Sequence, residues 1–272
     1  RELATLPDIY TRIKSILENP ASTHEDMAKA LSTDPALSGR LLRVANSAFY
    51  GRPGRINTVA QAVGLLGTQQ IHDLVLATAV IHAFDSVSSD LLDPRTFWHC
   101  SLLGAAAAKR LAEHCGILDS ERLFVAGLLS RTGNLILHQE LPEKMRTVLS
   151  EVGESATDLA AVQREHLGFD SAALSAELFR NWQLPPELVE PIGLHTRPAT
   201  ADEFQLEAAI LHIAMNLADA ESQNQPLEAV IPGLDDEAWQ VTGLSIDTLT
   251  EIEAQAIELT AEIAPAFLNA AA

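Results

Sequence analysis

The apolar segment from Leu123 to Leu137 constrains the fold more than any other feature of this chain. It leaves almost no polar face, the pattern of a helix buried inside a domain, and we predict one continuous helix here. Gly127 and Gly133 would let neighbouring helices approach closely, at some cost in helix propensity. Arg131 interrupts the apolar pattern, and burying a charge is unfavourable unless it is paired. The segment therefore either hides a charge for a structural reason or marks a functional site.

Helical spacing of apolar residues recurs along the whole chain, and no segment shows convincing strand alternation. Asp34-Pro and Asp93-Pro each place an N-cap before a proline at the first helical position. Ser22 and Glu25 form a capping-box pattern. Near the C-terminus, five apolar residues share one face of a final helix that we expect to dock on the domain: Leu249, Ile252, Ala256, Leu259 and Ile263. We predict an all-α fold of about a dozen short helices.

The predicted division of the chain rests on one polar stretch. At 272 residues the chain is long enough for one large domain or two small ones. The segment from Asp85 to Asp93 is rich in Ser and Asp, which indicates a loop joining two halves. We predict an N-terminal helical lobe over residues 1–90, a second helical lobe over 91–222, and a C-terminal loop and helix over 223–272 that packs on the domain.

Charge and cysteine content narrow the class of protein. Lys and Arg number 18 against 37 acids, a net charge of −19, which argues against a nucleic-acid surface. Cys100 and Cys115 would lie roughly 22 Å apart on one helix, beyond disulfide reach, and two free thiols suggest a reducing compartment. No signal peptide or span of ~20 apolar residues is present. We expect a cytoplasmic protein without a membrane partner. The start at Arg1 rather than Met fits a piece of a longer protein.

A positive stretch stands out in this acidic chain. No acidic residue lies between Asp34 and Asp73, but four arginines do: Arg40, Arg43, Arg52 and Arg55. Two explanations stay open. Arg40 and Arg43 could complement the dipole at a helix C-terminus, with Arg52 and Arg55 simply solvated in a loop. Alternatively, the four could bind an anion or an acidic partner, because a guanidinium pairs bidentately with carboxylate and phosphate groups.

Two blocks carry a family resemblance. The segment from Asp34 to Gly51, followed by Ile56 to Gly67, resembles the N-terminal signature of the HDOD family. Further matches to its second half follow at Phe97–His99, Leu123–Leu137, His166–Asp170 and Trp182–Pro185, so that the resemblance covers roughly Leu6 to Ala220. It implies an all-helical fold in two lobes, with the second lobe, residues 91–222, related to the HD phosphohydrolases. It also implies a bacterial signalling module, mostly non-catalytic and without a cofactor.

The same resemblance implies a degenerate metal site. HD enzymes hold divalent metals with a His, a His-Asp pair and a later Asp, and the bound ion activates water. By motif, the first His is His99, the His-Asp pair falls on Ser130 and Arg131, and the final Asp falls near Met215. His195 remains near another expected His. The resemblance therefore implies no metal, with Arg131 near His99 and its positive charge standing in for a cation.

Simpler roles compete for several of these histidines. His99, His195 and His212 could each be core histidines bonded to a backbone carbonyl, since imidazole without carboxylate or thiolate partners seldom makes a catalytic metal site. His72-Asp73 is a literal His-Asp dipeptide, but it has no further ligand at matching spacing. We predict that it lies on a solvated helix face.

These features favour a non-catalytic signalling module that binds a protein partner, such as a receiver, a kinase or a cyclic-dinucleotide enzyme. It could form the output part of a response regulator. We expect no catalytic residue. One alternative is a metal-dependent phosphohydrolase acting on nucleotides or cyclic dinucleotides. Another is a second-messenger receptor with a nucleotide held in the degenerate site or near the arginines.

Overall fold

The computed structural model describes residues 8–47, 50, 55–84, 90–152 and 159–268, and every regular element in them is helical. The all-α prediction is therefore confirmed. Pro198–Thr200 and Ile231–Gly233 form short 3-10 helices. The α-helices of the described residues are α1 Asp8–Glu18, α2 His24–Leu31, α3 Pro35–Ala45, α4 Val59–Leu66, α5 Thr68–Ala83, α6 Pro94–His114, α7 Ser120–Leu129, α8 Thr132–Glu140, α9 Pro142–Val152, α10 Leu159–Leu167, α11 Ser171–Asn181, α12 Pro186–Leu194, α13 Gln205–Ser222, α14 Leu227–Val230, α15 Asp236–Thr242 and α16 Ile246–Leu268.

Side-chain caps fix several helix starts. The Asp34 carboxylate accepts from two first-turn amides of α3, at 2.9 and 3.0 Å, and Asp93 accepts from one amide of α6 at 2.9 Å. Both Asp-Pro starts are therefore confirmed. The predicted capping box at Ser22 is displaced by one residue. Thr23 donates its amide to the Asp26 carboxylate at 2.9 Å, and Asp26 donates its amide to the Thr23 hydroxyl at 3.2 Å.

The prediction of one continuous helix from Leu123 to Leu137 is wrong. α7 and α8 are separate helices, divided by Ser130 and Arg131. The Ser130 hydroxyl donates to the carbonyl of Ala126 at 2.7 Å, and Arg131 has φ −92° and ψ 0°. The apolar composition of the segment predicted its burial correctly. It could not show that the helix is interrupted at Ser130 and Arg131, where a neighbouring helix supplies hydrogen-bond partners.

The chain separates into two compact units, which we describe one at a time. Unit 1 comprises Arg1–Ser86 and Glu258–Ala272, and unit 2 comprises Val87–Ile257. The predicted linker Asp85–Asp93 lies largely outside the described residues, and the predicted lobe boundaries stay a prediction. In unit 2, α6 packs against both α7 and α13. All five apolar residues expected on the inner face of α16 are buried. No described helix is both long and apolar enough to cross a bilayer.

The His72-Asp73 dipeptide lies in the interior of unit 1, so the prediction of a solvated helix face is wrong. Both side chains are buried on α5. The His72 ring bonds the Asp73 carboxylate through Nδ1 at 2.9 Å and the Tyr10 hydroxyl through Nε2 at 3.0 Å. Burial and the Asp73 charge raise the pKa of the Tyr10 hydroxyl above its usual range. The polar groups satisfy one another, and therefore the dipeptide can be buried.

Candidate functional site

A small polar cavity of about 120 Å³ in unit 2 brings together four of the five residues expected at the degenerate site. They are Ser130, Arg131, His195 and Met215. Ser130 and Arg131 occupy the turn between α7 and α8, His195 follows α12, and Met215 lies on α13. Segments far apart in sequence thus converge where the family resemblance placed a site.

The Arg131 guanidinium is paired within the protein. Its Nη1 lies 2.7 Å from an oxygen of the Asp219 carboxylate, and its Nη2 donates to the Met215 carbonyl at 3.0 Å. Burial alone would lower the pKa of Arg131, but the Asp219 charge more than offsets it, and the pKa is raised. The guanidinium is therefore charged at every accessible pH. The sequence alone left two roles open for Arg131, a buried structural charge or part of a functional site. In the structure Arg131 forms a largely buried ion pair that lines a cavity.

His99 does not join this group. Its side chain is exposed, so the expectation of a core histidine is wrong for His99, and it is not among the residues that line the cavity with Arg131. The neighbouring Cys100 faces inwards instead, donating to the Ala218 carbonyl at 3.3 Å and lying 3.9 Å from Asp219. Side chains one position apart on a helix do not share a face. The orientation of α6 that buries Cys100 therefore leaves His99 exposed. Burial raises the pKa of the Cys100 thiol, which keeps it protonated.

Two histidines near the cavity are bonded to backbone. His195 is buried, and its Nδ1 lies 2.7 Å from the Ile192 carbonyl. The Asp235 amide donates to His212 Nε2 at 3.1 Å, so that nitrogen carries no proton, and Nδ1 donates to the His195 carbonyl at 2.8 Å. The simpler expectation for these two histidines is confirmed. Burial lowers the pKa of His195 to about 4 and also lowers that of His212, so both are neutral at pH 7.

A second ion pair, which the sequence did not predict, reaches the same cavity through Arg164. Arg164 pairs with the buried carboxylate of Asp170, which also accepts from the Thr196 hydroxyl at 2.9 Å and caps α11 through the Ala173 amide at 2.9 Å. Burial would raise the pKa of Asp170, but these hydrogen bonds and the Arg164 charge lower it overall. Two guanidinium groups therefore line the cavity, and each is already paired, Arg131 with Asp219, which also lines the cavity, and Arg164 with Asp170.

The close approach of α8 and α11 holds the turn that carries Arg131. The Gly133 amide donates to the Ser175 hydroxyl at 2.7 Å. That hydroxyl also lies 3.1 Å from the Ser130 carbonyl and 3.0 Å from the Ser171 carbonyl. A Cβ at position 133 would overlap the Ser171 carbonyl oxygen. The predicted close approach at Gly133 is confirmed, and Ser175 ties the backbone on both sides of Arg131 to α11.

These side chains do not fit a divalent metal. Such an ion needs several lone-pair donors at converging positions, and no three His, Cys, Asp or Glu residues of the described chain are placed to hold one. A guanidinium stands at the expected carboxylate position, Asp219 is engaged by it, and the Ser130 hydroxyl donates to backbone. The arrangement supplies paired charges and fixed hydrogen bonds.

Asp219 is the principal residue that the sequence argument missed. The family pattern pointed to Met215, and Asp219 follows it by four residues on α13. Residues four apart share a helix face, and an acid among the apolar residues of α13 is itself unusual. Searching one helical turn beyond the expected position would have found the partner of Arg131.

Unit 1 contains a second cleft, of about 470 Å³, which joins two of the four arginines singled out from the sequence. We call it the arginine cleft, and its lining includes Leu42, Arg43, Asn46, Arg55, Ile56 and Glu262. Arg40 is buried and does not line it, because it lies on the inner face of α3. Arg52 lies outside the described residues.

Solved structures resemble the fold over nearly the whole chain. A candidate phosphohydrolase from Shewanella amazonensis SB2B is 27% identical, with a TM-score of 0.74, and the match covers 96% of this chain and 95% of that one. An HDOD domain protein of unknown function from Geobacter sulfurreducens is 24% identical, with a TM-score of 0.76, covering 98% and 94%. The second likeness, being under 25% identity, is evidence of fold alone.

The amino-acid sequence of this chain has relatives that identify its family. An uncharacterized protein of Treponema pallidum (strain Nichols) is 24% identical over 208 residues, which is 75% of this chain. The chain spans 40% of the length of that relative. The family model described as the HDOD domain matches residues 3–198. This chain belongs to the HDOD domain family.

Proposed function

We propose that the chain is a non-catalytic signal-transduction module that acts by binding a protein partner, in the manner of the output part of a response regulator. The partner would be a receiver, a kinase or a cyclic-dinucleotide enzyme. One observation carries the proposal. Arg131, which the family resemblance aligns with a metal-binding carboxylate, is bound to Asp219 and to the Met215 carbonyl. The all-helical fold is retained, while the Ser130 and Arg131 side chains at the expected ligand positions are engaged with other groups of the protein.

The alternative is metal-dependent phosphohydrolysis, and the Shewanella relative is named a phosphohydrolase. That chemistry needs an ion that lowers the pKa of bound water. A guanidinium repels such an ion and has no lone pair to offer it. Releasing Asp219 for metal binding would leave the charge of Arg131 unpaired in a largely buried position, which is unfavourable. The geometry therefore favours the non-catalytic alternative.

A nucleotide receptor that uses the degenerate site is less well supported, whereas the other location that the sequence left open, near the arginines, is the separate arginine cleft of about 470 Å³. Ligand pockets that enclose a drug-sized molecule have volumes of roughly 300–1,000 Å³. The cavity beside Arg131 measures about 120 Å³, and its charges are already paired. A cyclic dinucleotide is much larger than this space. Entry would require separating Arg131 from Asp219, so the cavity is better suited to structural hydrogen bonding.

Two assays test the proposal. The purified chain would be incubated with Mn²⁺ or Mg²⁺ and with nucleotides, cyclic dinucleotides and p-nitrophenyl phosphate, beside an active HD phosphohydrolase as a positive control. We expect no turnover and no stoichiometric metal by elemental analysis after dialysis. In parallel, affinity capture from the native bacterium followed by mass spectrometry should return a signalling protein reproducibly. Metal-dependent turnover by the chain, or a divalent ion bound at His99, would contradict the proposal.

A further inference from the structure

We propose that the arginine cleft of unit 1 docks a carboxylate-rich segment of the partner protein. The inference rests on the proposed function and deepens it, because it names the surface and the chemistry of what binds there. Arg43, near the end of α3, and Arg55, in the segment before α4, line the same cleft. Both side chains belong to exposed residues, so an incoming group can reach them.

The two guanidinium groups are uncommitted. Neither Arg43 nor Arg55 makes an ion pair or a side-chain hydrogen bond with any described residue. Unit 2 is different, because most of its arginines pair with carboxylates: Arg110, Arg122, Arg131, Arg146, Arg164 and Arg180. In a chain with a net charge of −19, acidic groups are plentiful, yet none of those in the described part of the chain pairs with these two side chains. A guanidinium pairs bidentately with carboxylates, so the two present an open recognition element.

Asn46 holds the two sides of the cleft together. Its side-chain amide donates to the carbonyls of Leu42 and Ile56, both at 2.7 Å, and its oxygen accepts from the Ile56 amide at 2.7 Å. The end of α3 is thereby joined to the backbone beside Arg55. This arrangement fixes the backbone on the two sides of the cleft before a partner arrives, which reduces the ordering cost of binding.

The lining favours a peptide over a free anion. Leu42, Ile56, Pro265 and Ala266 contribute apolar surface between the charged groups, and Asn57 adds a polar side chain. Inorganic phosphate would fill only a small part of a cleft of about 470 Å³ and would leave the apolar surface uncovered. A peptide that carries both carboxylates and apolar side chains matches both features, and complementary charge gives such interfaces their specificity.

Glu262 lines the same cleft and allows the sign of the ligand charge to be tested there. It is an exposed acid that also lines the cleft, with no ion pair to either arginine. Its charge opposes an acidic ligand, so Glu262→Gln should strengthen binding while the arginine substitutions weaken it. A purely apolar cleft would show neither effect. Opposite responses from neighbouring residues would therefore identify the sign of the ligand charge.

The probe is a fluorescein-labelled peptide of about 12 residues, in which Glu and Asp alternate with Leu and Ser. Fluorescence anisotropy would be measured for the wild-type chain and its variants. We expect Arg43→Glu/Arg55→Glu to weaken binding at least about tenfold, and Glu262→Gln to strengthen it about twofold. Arg43→Gln/Arg55→Gln removes the charges without reversing them and should weaken binding less. A peptide with Gln and Asn in place of the acids should bind poorly.

Arg12→Glu is the matched control, since Arg12 is an exposed arginine of the same unit that does not line the cleft. It makes the same change in net charge as Arg43→Glu and should leave binding unchanged. Circular dichroism would establish that every variant is folded. Equal losses for Arg12→Glu and Arg43→Glu, unchanged binding by the double variant, or no binding by the wild type would each overturn the assignment. Inorganic phosphate binding the cleft where the peptide does not would overturn it too.

Failure of this inference can be separated from failure of the proposed function. The protein captured from the native bacterium would be purified and titrated with the wild type and with Arg43→Glu/Arg55→Glu. Loss of its binding in the double variant supports the arginine cleft. Equal binding to both forms rejects the cleft and leaves the proposed function intact, whereas metal-dependent turnover by the wild type rejects the proposed function itself.

Discussion

Arg131 shows how one side chain can decide what a cavity binds. The family resemblance aligns this residue with an acidic ligand, and its guanidinium is held by Asp219 and a backbone carbonyl. In a largely buried position the pair stabilises the protein only while both members are present, because removing one leaves the other charged and unpaired. The residue thus opposes metal binding and holds the ends of α7 and α13 together.

A double-mutant cycle on Arg131 and Asp219 should reveal strong coupling. Their side chains are 16% and 27% exposed, so we expect less than the 3–5 kcal/mol of a fully buried pair. Each single change to Ala should lower the free energy of unfolding by about 2 kcal/mol, with a coupling energy of about 1–2 kcal/mol in urea titrations. Arg180 and Glu190, which are 48% and 37% exposed, form the control cycle, whose coupling should stay below about 1 kcal/mol.

His195 should make stability depend on pH. Its pKa falls from 6.5 to about 4 on folding, so between these values the unfolded chain binds a proton that the folded chain does not. The contribution is fully present above pH 6.5 and is lost as the pH falls towards 4, by about 3 kcal/mol. His195→Asn keeps a donor for the Ile192 carbonyl without titrating and should flatten this part of the pH profile. His24→Asn, at an exposed position, should leave it unchanged, and an unaltered slope in His195→Asn would contradict the argument.

At the scale of elements, the turn between α7 and α8 is the feature that the site depends on. Ser175 of α11 binds the Gly133 amide and lies beside the Ser130 carbonyl, so one hydroxyl satisfies backbone on both sides of Arg131. These hydrogen bonds are necessary, since unpaired backbone groups are costly to bury. A helix interrupted at this point directs the Arg131 side chain to α13.

Two glycine substitutions should have opposite effects. Gly133→Ala would force α8 away from the Ser171 carbonyl and should lower the free energy of unfolding by about 2 kcal/mol or more. Gly64→Ala, on an exposed face of α4 with no atom within 4 Å, should raise it by up to about 1 kcal/mol through helix propensity. Thermal denaturation of both variants measures the difference, and a neutral Gly133→Ala would show that α8 and α11 can separate freely.

Asn46 offers a test of the connection between α3 and the segment before α4. Asn46→Asp keeps an acceptor for the Ile56 amide but places a carboxylate against two carbonyl oxygens. It should lower the free energy of unfolding by about 1–3 kcal/mol. It should also weaken binding at the arginine cleft. Asn19→Asp, at an exposed position where only the side-chain oxygen accepts a hydrogen bond, should change stability little.

The sequence predicted the helices better than it predicted the side-chain contacts between them. Periodicity and the Asp-Pro caps gave the all-α class and the starts of α3 and α6, because both signals are local. Whether His99 or Cys100 faces inwards depends on about 100° of helix rotation. Helix boundaries predicted from a sequence are uncertain by a few residues, which is too coarse to fix that rotation. The partner of Arg131 lies 88 positions away at Asp219, and the burial of His72 depends on Tyr10. Such pairings follow from tertiary packing, which one sequence does not encode in any short pattern.

At the scale of the whole molecule, charge is unevenly distributed. The net charge is −19, yet Arg43 and Arg55 share one cleft with no paired acid. In unit 2 the charges near the cavity are matched in pairs. The exposed Arg43 and Arg55 lie in unit 1, whereas Arg131 and Arg164 beside the cavity of unit 2 are paired with carboxylates. Under the proposed docking at the arginine cleft, binding and structural roles belong to different parts of the chain.

Chelation should leave the whole molecule unaffected. Because no described residues converge on a metal and Arg131 supplies the charge at the expected site, folding should not depend on a divalent ion. We expect the same Tm in EDTA as in Mn²⁺ by differential scanning fluorimetry, within the error of replicates. A chelator-induced fall of several degrees, reversed by adding one metal, would show that the fold does require an ion.

The pairing of Arg131 with Asp219 has a further consequence in terms of mass action. A metal ion exchanges with a free pool, and its occupancy follows the concentration of that pool. A guanidinium joined to the backbone has no dissociation constant, so its occupancy is complete in every folded molecule. The positive charge at this point of unit 2 is therefore independent of how much metal a cell contains, and starvation or excess of the ion leaves it unchanged.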